Sequence, residues 1–126
     1  MPIRDPAEYG PVYAESFNSG DVDVLLALYE PGVAMLPQPG SGQAVMGIDA
    51  VRQVLSGFLA TQGRMEGDVT KVVQAGELAL VCTDWRLTGT SPDGTPVDLS
   101  GQATDVLRQQ ADSTWRIVID NPFGLA

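Results

Sequence analysis

The chain has 126 residues, of which 16 are acidic and 7 basic, for a net charge of −9; 44% are hydrophobic and none is histidine. That length suits one domain, residues 1–126, with one core, and the scattering of Arg4, Arg52, Arg64, Lys71, Arg86, Arg108 and Arg116 argues against a nucleic-acid or anionic-membrane partner. With a lone cysteine, no cysteine–histidine cluster, no apolar run of bilayer length and no apolar leader at Met1–Pro6, a cytoplasmic protein without metal or cofactor is expected.

Asp5-Pro6 is a helix-start signal, the aspartate as cap and the proline at the first position. Tyr9, Tyr13, Ser16 and Phe17 then fall on one side, with Pro11 marking a kink or the true start. Gly20-Asp21 ends this helix and caps a second, Val22 to Glu30, with Val22, Leu25, Leu26 and Tyr29 inward. Pro31-Gly32 stops it. A short strand, Val33 to Leu36, runs into a Pro/Gly-rich loop over residues 37–42. A third helix is predicted from Ile48 to about Thr61, with Ile48, Val51, Val54, Leu55, Phe58 and Leu59 as its apolar face.

The second half reads as strands. Gly67 to Ala75 alternates weakly, and Gly76-Glu77 turns into a long apolar run from Leu78 to Thr88. Cys82 lies in that run and reads as a buried structural thiol, because no histidine is present to activate it. Pro92-Asp93-Gly94 is a hairpin signal. Val97 to Gln109 and Trp115 to Asn121 follow, separated by a turn at Ala111–Ser113. Helices first and strands after predict an α+β domain, its helices on one face of the sheet.

Two aspartates break the strand pattern. Asp105 and Asp120 lie inside apolar strands, where aspartate is disfavoured and an unpartnered charge is costly. Each is either a structural carboxylate bonded to backbone or an interface, or a carboxylate held in an apolar cavity with a shifted pKa. In a protein without histidine, acid–base chemistry falls to Asp, Glu, Tyr or Lys.

The order and spacing of Tyr13 to Glu30, Val33-Ala-Met-Leu-Pro37, Gly47-Ile-Asp-Ala-Val51, Asp105-Val-Leu-Arg108 and Trp115-Arg-Ile117 resemble the nuclear transport factor 2-like superfamily, in particular its SnoaL-like and ketosteroid isomerase-like members. The resemblance implies a curved antiparallel sheet wrapped around N-terminal helices, a cone with an apolar pocket, and a homodimer. It also implies roles for particular residues. Tyr13 falls at the position of the tyrosine, and Asp105 at that of the protonated aspartic acid, which serve ketosteroid isomerases as oxyanion-hole donors. The general-base aspartate of those enzymes falls at Leu36, so the donor pair is kept and the base is not. Asp120 falls where SnoaL-like cyclases can carry an acid–base carboxylate. Limonene epoxide hydrolase-like members use an Asp–Arg–Asp set; this chain has Asp105, Arg86 and Asp120, on a different strand spacing.

Strand alternation adds a geometric condition. Gly101, Ala103, Asp105 and Leu107 share one face; Arg116, Val118 and Asp120 share one face of the last strand and Trp115, Ile117, Ile119 and Asn121 the other. If position 105 pairs with 120, the carboxylates stand about 5 Å apart on one face, and one stays protonated above its ordinary pKa. If the register slips by one, Asp120 points away.

Two functions remain open. One is a small isomerase, lyase or cyclase for an apolar, carbonyl-bearing metabolite, with Asp120 as base and Tyr13 and neutral Asp105 polarising the carbonyl. The other is a non-catalytic ligand-binding or dimerisation module. Phe17, Leu36, Phe58 and Trp85 are the expected pocket walls, with Asn121 a further ligand contact. The expected partners are a small apolar molecule and a second copy of the chain, docked through the outer sheet face because Val81/Cys82 and Val106/Leu107 put apolar residues on both faces.

Overall fold

The structure, a computed structural model, describes residues 1–40 and 42–126. Ser41, part of the predicted loop, lies outside the described residues. A single 3-10 turn, Pro6–Glu8, leads into α1 (Tyr9–Asn18). Asp5 caps the turn, its Oδ1 accepting from the Ala7 N–H at 2.9 Å. Pro11 causes no break because it sits in the first turn of α1, where its missing N–H has no intrahelical acceptor to serve. Gly20 takes a left-handed φ of 75° just past α1, and Asp21 caps α2 (Val22–Leu26) through the Asp23 N–H at 2.9 Å.

The second helix is shorter than predicted. It ends at Leu26, and Tyr29 opens β1 (Tyr29–Met35) instead of completing a helical face. The reason is tertiary: Tyr29 lies opposite Ile117 in a parallel pairing with the last strand, and such pairing overrides a weak local helix preference. Two residues, Val45–Met46, form β2, which the sequence pattern did not reveal. Then come α3 (Ile48–Leu59), β3 (Arg64–Ala75), β4 (Leu78–Thr90), β5 (Pro96–Gln109) and β6 (Trp115–Asp120).

The strands make one six-stranded curved sheet in the order β2-β1-β6-β5-β4-β3. All neighbours are antiparallel except β1 and β6, which run parallel. The helices cover its concave face. Alternation on β4 buries Ala79, Val81, Thr83 and Leu87, and on β5 Ala103, Asp105 and Leu107. Helix α1 lies against β3 at a point where both elements carry glycine. A Cβ on Gly10 would come within 2.9 Å of the Gly67 carbonyl oxygen, so only the bare backbone permits this approach. Asn18 extends the contact, donating to the Met65 carbonyl at 2.9 Å and accepting from the Met65 N–H at 2.7 Å. It thus supplies a strand-like partner at the free edge of the sheet.

One irregularity matters most for function. Along β5 and β6, Leu107 faces Ile117 while Val106 faces Ile119, so Val118 is an extra residue without an opposite number. This is a β-bulge. Trp115 and Ile117 point into the core, strict alternation would turn Asp120 outward, and the bulge turns it back in. The predicted grouping of Arg116, Val118 and Asp120 on one face, apart from Trp115 and Ile117, therefore does not hold.

Candidate active site

The bulge carries Asp120 to the same side as Asp105. Val106 and Ile119 face each other, and the next step along the ladder sets the two aspartates side by side. Both are almost wholly buried, at 1% and 3% exposure. Their carboxyls lie close enough for one proton to bridge the pair. The Asp105 Oδ1 accepts from the Asn121 backbone N–H at 2.8 Å, and Tyr9 stands beside the pair in the cavity wall. The Asp120 Oδ2 accepts from the Tyr29 hydroxyl at 2.6 Å. Tyr29 in turn is 2.7 Å from the Tyr13 hydroxyl.

The direction of this chain follows from counting hydrogens. Tyr29 has one hydroxyl hydrogen and gives it to Asp120, so Tyr13 must be the donor to Tyr29. A single carboxyl proton then satisfies the whole network. Tyr13 donates to Tyr29, Tyr29 to Asp120, and protonated Asp105 to Asp120. Electrostatics agrees with that distribution. Burial is the largest influence holding Asp105 well above the ordinary carboxyl range, and the neighbouring Asp120 charge raises it further. Asp120 is also raised by burial, but the hydrogen bonds from Tyr29 and Asp105 oppose the rise and keep it the more acidic partner. All three tyrosines of the chain are held above their ordinary range, by burial first and then by the nearest carboxyl charge.

The pair looks into a cavity between the helices and the sheet. It offers about 60 Å³ to the centres of water-sized spheres, room for about four to six waters and so for a compact molecule of six to eight heavy atoms. Phe17, Phe58 and Trp85 are among its walls, as are Tyr9, Tyr13, Asp105 and Asp120. Pro122 and Phe123 close one side. The Phe123 ring stands edge-on to Trp85, 5.6 Å between centres, and the Trp85 indole N–H donates to the Pro122 carbonyl at 2.6 Å. Gly101 makes room for that bond, since a Cβ there would sit 2.8 Å from the indole nitrogen.

Several expected placements differ. Leu36 is not in the wall; Met35 and Pro37 on either side of it are. Met35 pairs with Asp120 and points inward, so alternation turns Leu36 away, and the Leu36 N–H binds the Asp120 carbonyl at 3.0 Å. Asn121 also lies outside the wall. It is a brace, its backbone held by Asp105 and its amide donating to Thr104 at 3.0 Å and to the Gly124 carbonyl at 3.2 Å. Tyr13 has its hydroxyl hydrogen directed at Tyr29 and not at the cavity. Arg86 pairs with exposed Asp98 at 3.2 Å and takes no part in an Asp–Arg–Asp set. Tyr29, which the sequence placed in a helix, is a member of the network, and Tyr9 lines the cavity beside it, its ring edge-on to Tyr13.

A family model described as SnoaL-like domain matches residues 12–117. The chain belongs to the SnoaL-like domain family. It sits within the nuclear transport factor 2-like superfamily, and solved structures support the fold. A ketosteroid isomerase-like protein from Erwinia carotovora atroseptica SCRI1043 is 22% identical, with a TM-score of 0.74 over 91% of this chain and 90% of that one. A conserved protein from Planctomyces limnophilus DSM 3776 is 18% identical, with a TM-score of 0.74 over 93% and 89%. The epoxide hydrolase/cyclase-like enzyme SalBIII, associated with pyran ring formation in salinomycin, is 19% identical, with a TM-score of 0.64 over 96% and 93%. At these identities the likeness is one of fold. No curated protein matches the sequence. In this SnoaL-like domain no helix among the described residues is long and apolar enough to cross a membrane.

Proposed function

We propose that this SnoaL-like domain binds a compact, apolar, carbonyl-bearing molecule in its cavity and catalyses carboxylate-driven isomerisation, cyclisation or dehydration. One observation carries this: two buried, adjacent carboxyls at the wall of an apolar cavity, in a chain that has no histidine. Ionised Asp120 is the base, and protonated Asp105 turns its hydrogen from Asp120 to the developing oxyanion when the ligand is bound. Tyr13 acts through Tyr29, steadying the charge on Asp120. The modest cavity favours a molecule far smaller than a steroid. The protein works in the cytoplasm as a homodimer. A row of apolar residues on the outer face, Val73, Leu80, Val106 and Ile119, runs opposite one another across four strands and supports that pairing. Val73, Leu80 and Ile119 are 53%, 40% and 43% exposed. Val81 and Leu107 are buried under the helices, and their chain neighbours Cys82 and Val106 face the other side of the sheet.

The internal satisfaction of every hydroxyl in the network favours a second reading, a binding module without turnover. The two separate in one experiment. Cyclohexanone is added in deuterium oxide; binding is followed by NMR and exchange of its α-hydrogens by loss of their signal. Binding with exchange that falls in Asp120→Asn supports catalysis. Binding without exchange supports the module, and no binding refutes both.

A further inference from the structure

Thr83 is the one buried side chain among the described residues whose polar atom has no hydrogen-bond partner. It is 5% exposed and lines the cavity. The contrast with other buried polar groups is direct. Ser16, fully buried, donates to the Val12 carbonyl at 2.8 Å. Asp120, Tyr29 and Tyr13 are bonded in series, Asp105 accepts from the Asn121 N–H, and Trp85 donates to Pro122. Thr83 has no such recourse. On a strand it lacks the preceding-turn carbonyl that serves Ser16, and its cross-strand neighbours are Val69 and Ala103, which offer no side-chain acceptor. Valine would fill the same space without an orphaned hydroxyl, so the hydroxyl is a standing cost unless something else engages it. Ala103, small and directly opposite, leaves the space beside Thr83 open.

The position also sets a spacing. Ala103 faces Thr83, and Asp105 lies two residues further along the same face of the same strand. Thr83 and Asp105 are therefore diagonal neighbours, about 7–8 Å apart. Building on the ligand class proposed above, we infer that Thr83 is the second polar anchor of the cavity, its hydroxyl binding an oxygen of a ligand whose carbonyl lies at the Asp105–Asp120 pair. The ligand is thus a compact apolar carbonyl compound with a second oxygen function, a hydroxyl, ether or ketone, about 5 Å from the first. Thr83 fixes which end of the ligand meets the carboxyls, which makes it a specificity residue and leaves the proton transfer to Asp120.

The test uses cyclohexanone and 3-hydroxycyclohexanone as a matched pair, titrated by NMR into the wild-type chain, Thr83→Val and Thr83→Ser. Thr83→Val is expected to weaken the hydroxyketone about fivefold or more while leaving cyclohexanone unchanged or tighter, and Thr83→Ser to retain the wild-type preference. Equal effects of Thr83→Val on both ketones, or none on the hydroxyketone, overturn the assignment of Thr83 and leave the cavity reading intact. If neither ketone perturbs the cavity resonances of the wild type, the cavity reading falls and this inference with it. Should Thr83→Val fail to fold, the wild-type Thr83 methyl resonance decides. A shift with the hydroxyketone that cyclohexanone does not produce supports the anchor, and equal shifts overturn it.

Discussion

Replacing Asp105 with asparagine isolates the proton that the carboxyl pair retains. The side-chain oxygen of asparagine still accepts from the Asn121 N–H, and an amide hydrogen serves Asp120 as the carboxyl proton does now. Shape and hydrogen bonds persist while the titration disappears. In the unfolded chain Asp105 loses its proton near the ordinary value of 3.8; in the fold, burial and the Asp120 charge move that loss well upward. A raised folded pKa means that stability from this group is complete below about pH 4 and declines as pH climbs toward the folded value. Across that window the folded state holds about one more proton, so wild-type stability falls by about 1.4 kcal/mol per pH unit relative to Asp105→Asn. The variant should match the wild type near pH 4 and be the more stable of the two at pH 7. Urea unfolding followed by the fluorescence of Trp85 and Trp115, at half-unit steps of about pH 4 to 8, measures the difference. Parallel stability profiles for the two proteins, or a gap that closes as pH rises, would refute a retained proton on Asp105.

Other outcomes follow from the same geometry. Asp120→Asn removes the second-largest cause of the Asp105 shift, so carbon-detected NMR should find the Asp105 pKa lower than in the wild type yet still above 3.8, because burial remains; an unchanged value would contradict the coupling. Gly10→Ala forces a methyl to 2.9 Å from the Gly67 carbonyl oxygen, backbone against backbone, and should cost about 1–3 kcal/mol in urea unfolding; an unaltered midpoint would show that α1 and β3 are not so closely apposed. For the proposed homodimer, sedimentation equilibrium should give twice the 13.3 kDa chain mass, and Leu80→Glu, at the middle of the exposed apolar row, should give the monomer. A wild-type monomer removes the interface.

Much of the architecture was legible in local sequence. Asp5 and Asp21 cap helical segments, Gly20 ends one, and the alternating strands from Leu78 to Gln109 bury the residues their pattern marks, because caps, glycine conformations and period-two burial are short-range physics. The two aspartates in apolar strands also announced themselves, since a buried carboxylate is too costly to be incidental. Whether they meet was decided elsewhere. The strand pattern left two registers open, and the bulge at Val118 settles the matter by shifting the phase of one strand. Val118 stands among β-branched residues with no glycine or other local mark of a bulge, so nothing in its neighbourhood gives the bulge away. Tyr29 was hidden for a related reason: its strand conformation comes from parallel pairing with β6, nearly ninety residues away in the chain. The orphaned hydroxyl of Thr83 is likewise invisible in one dimension, because lacking a partner is a property of everything packed around a residue and of nothing in its immediate sequence.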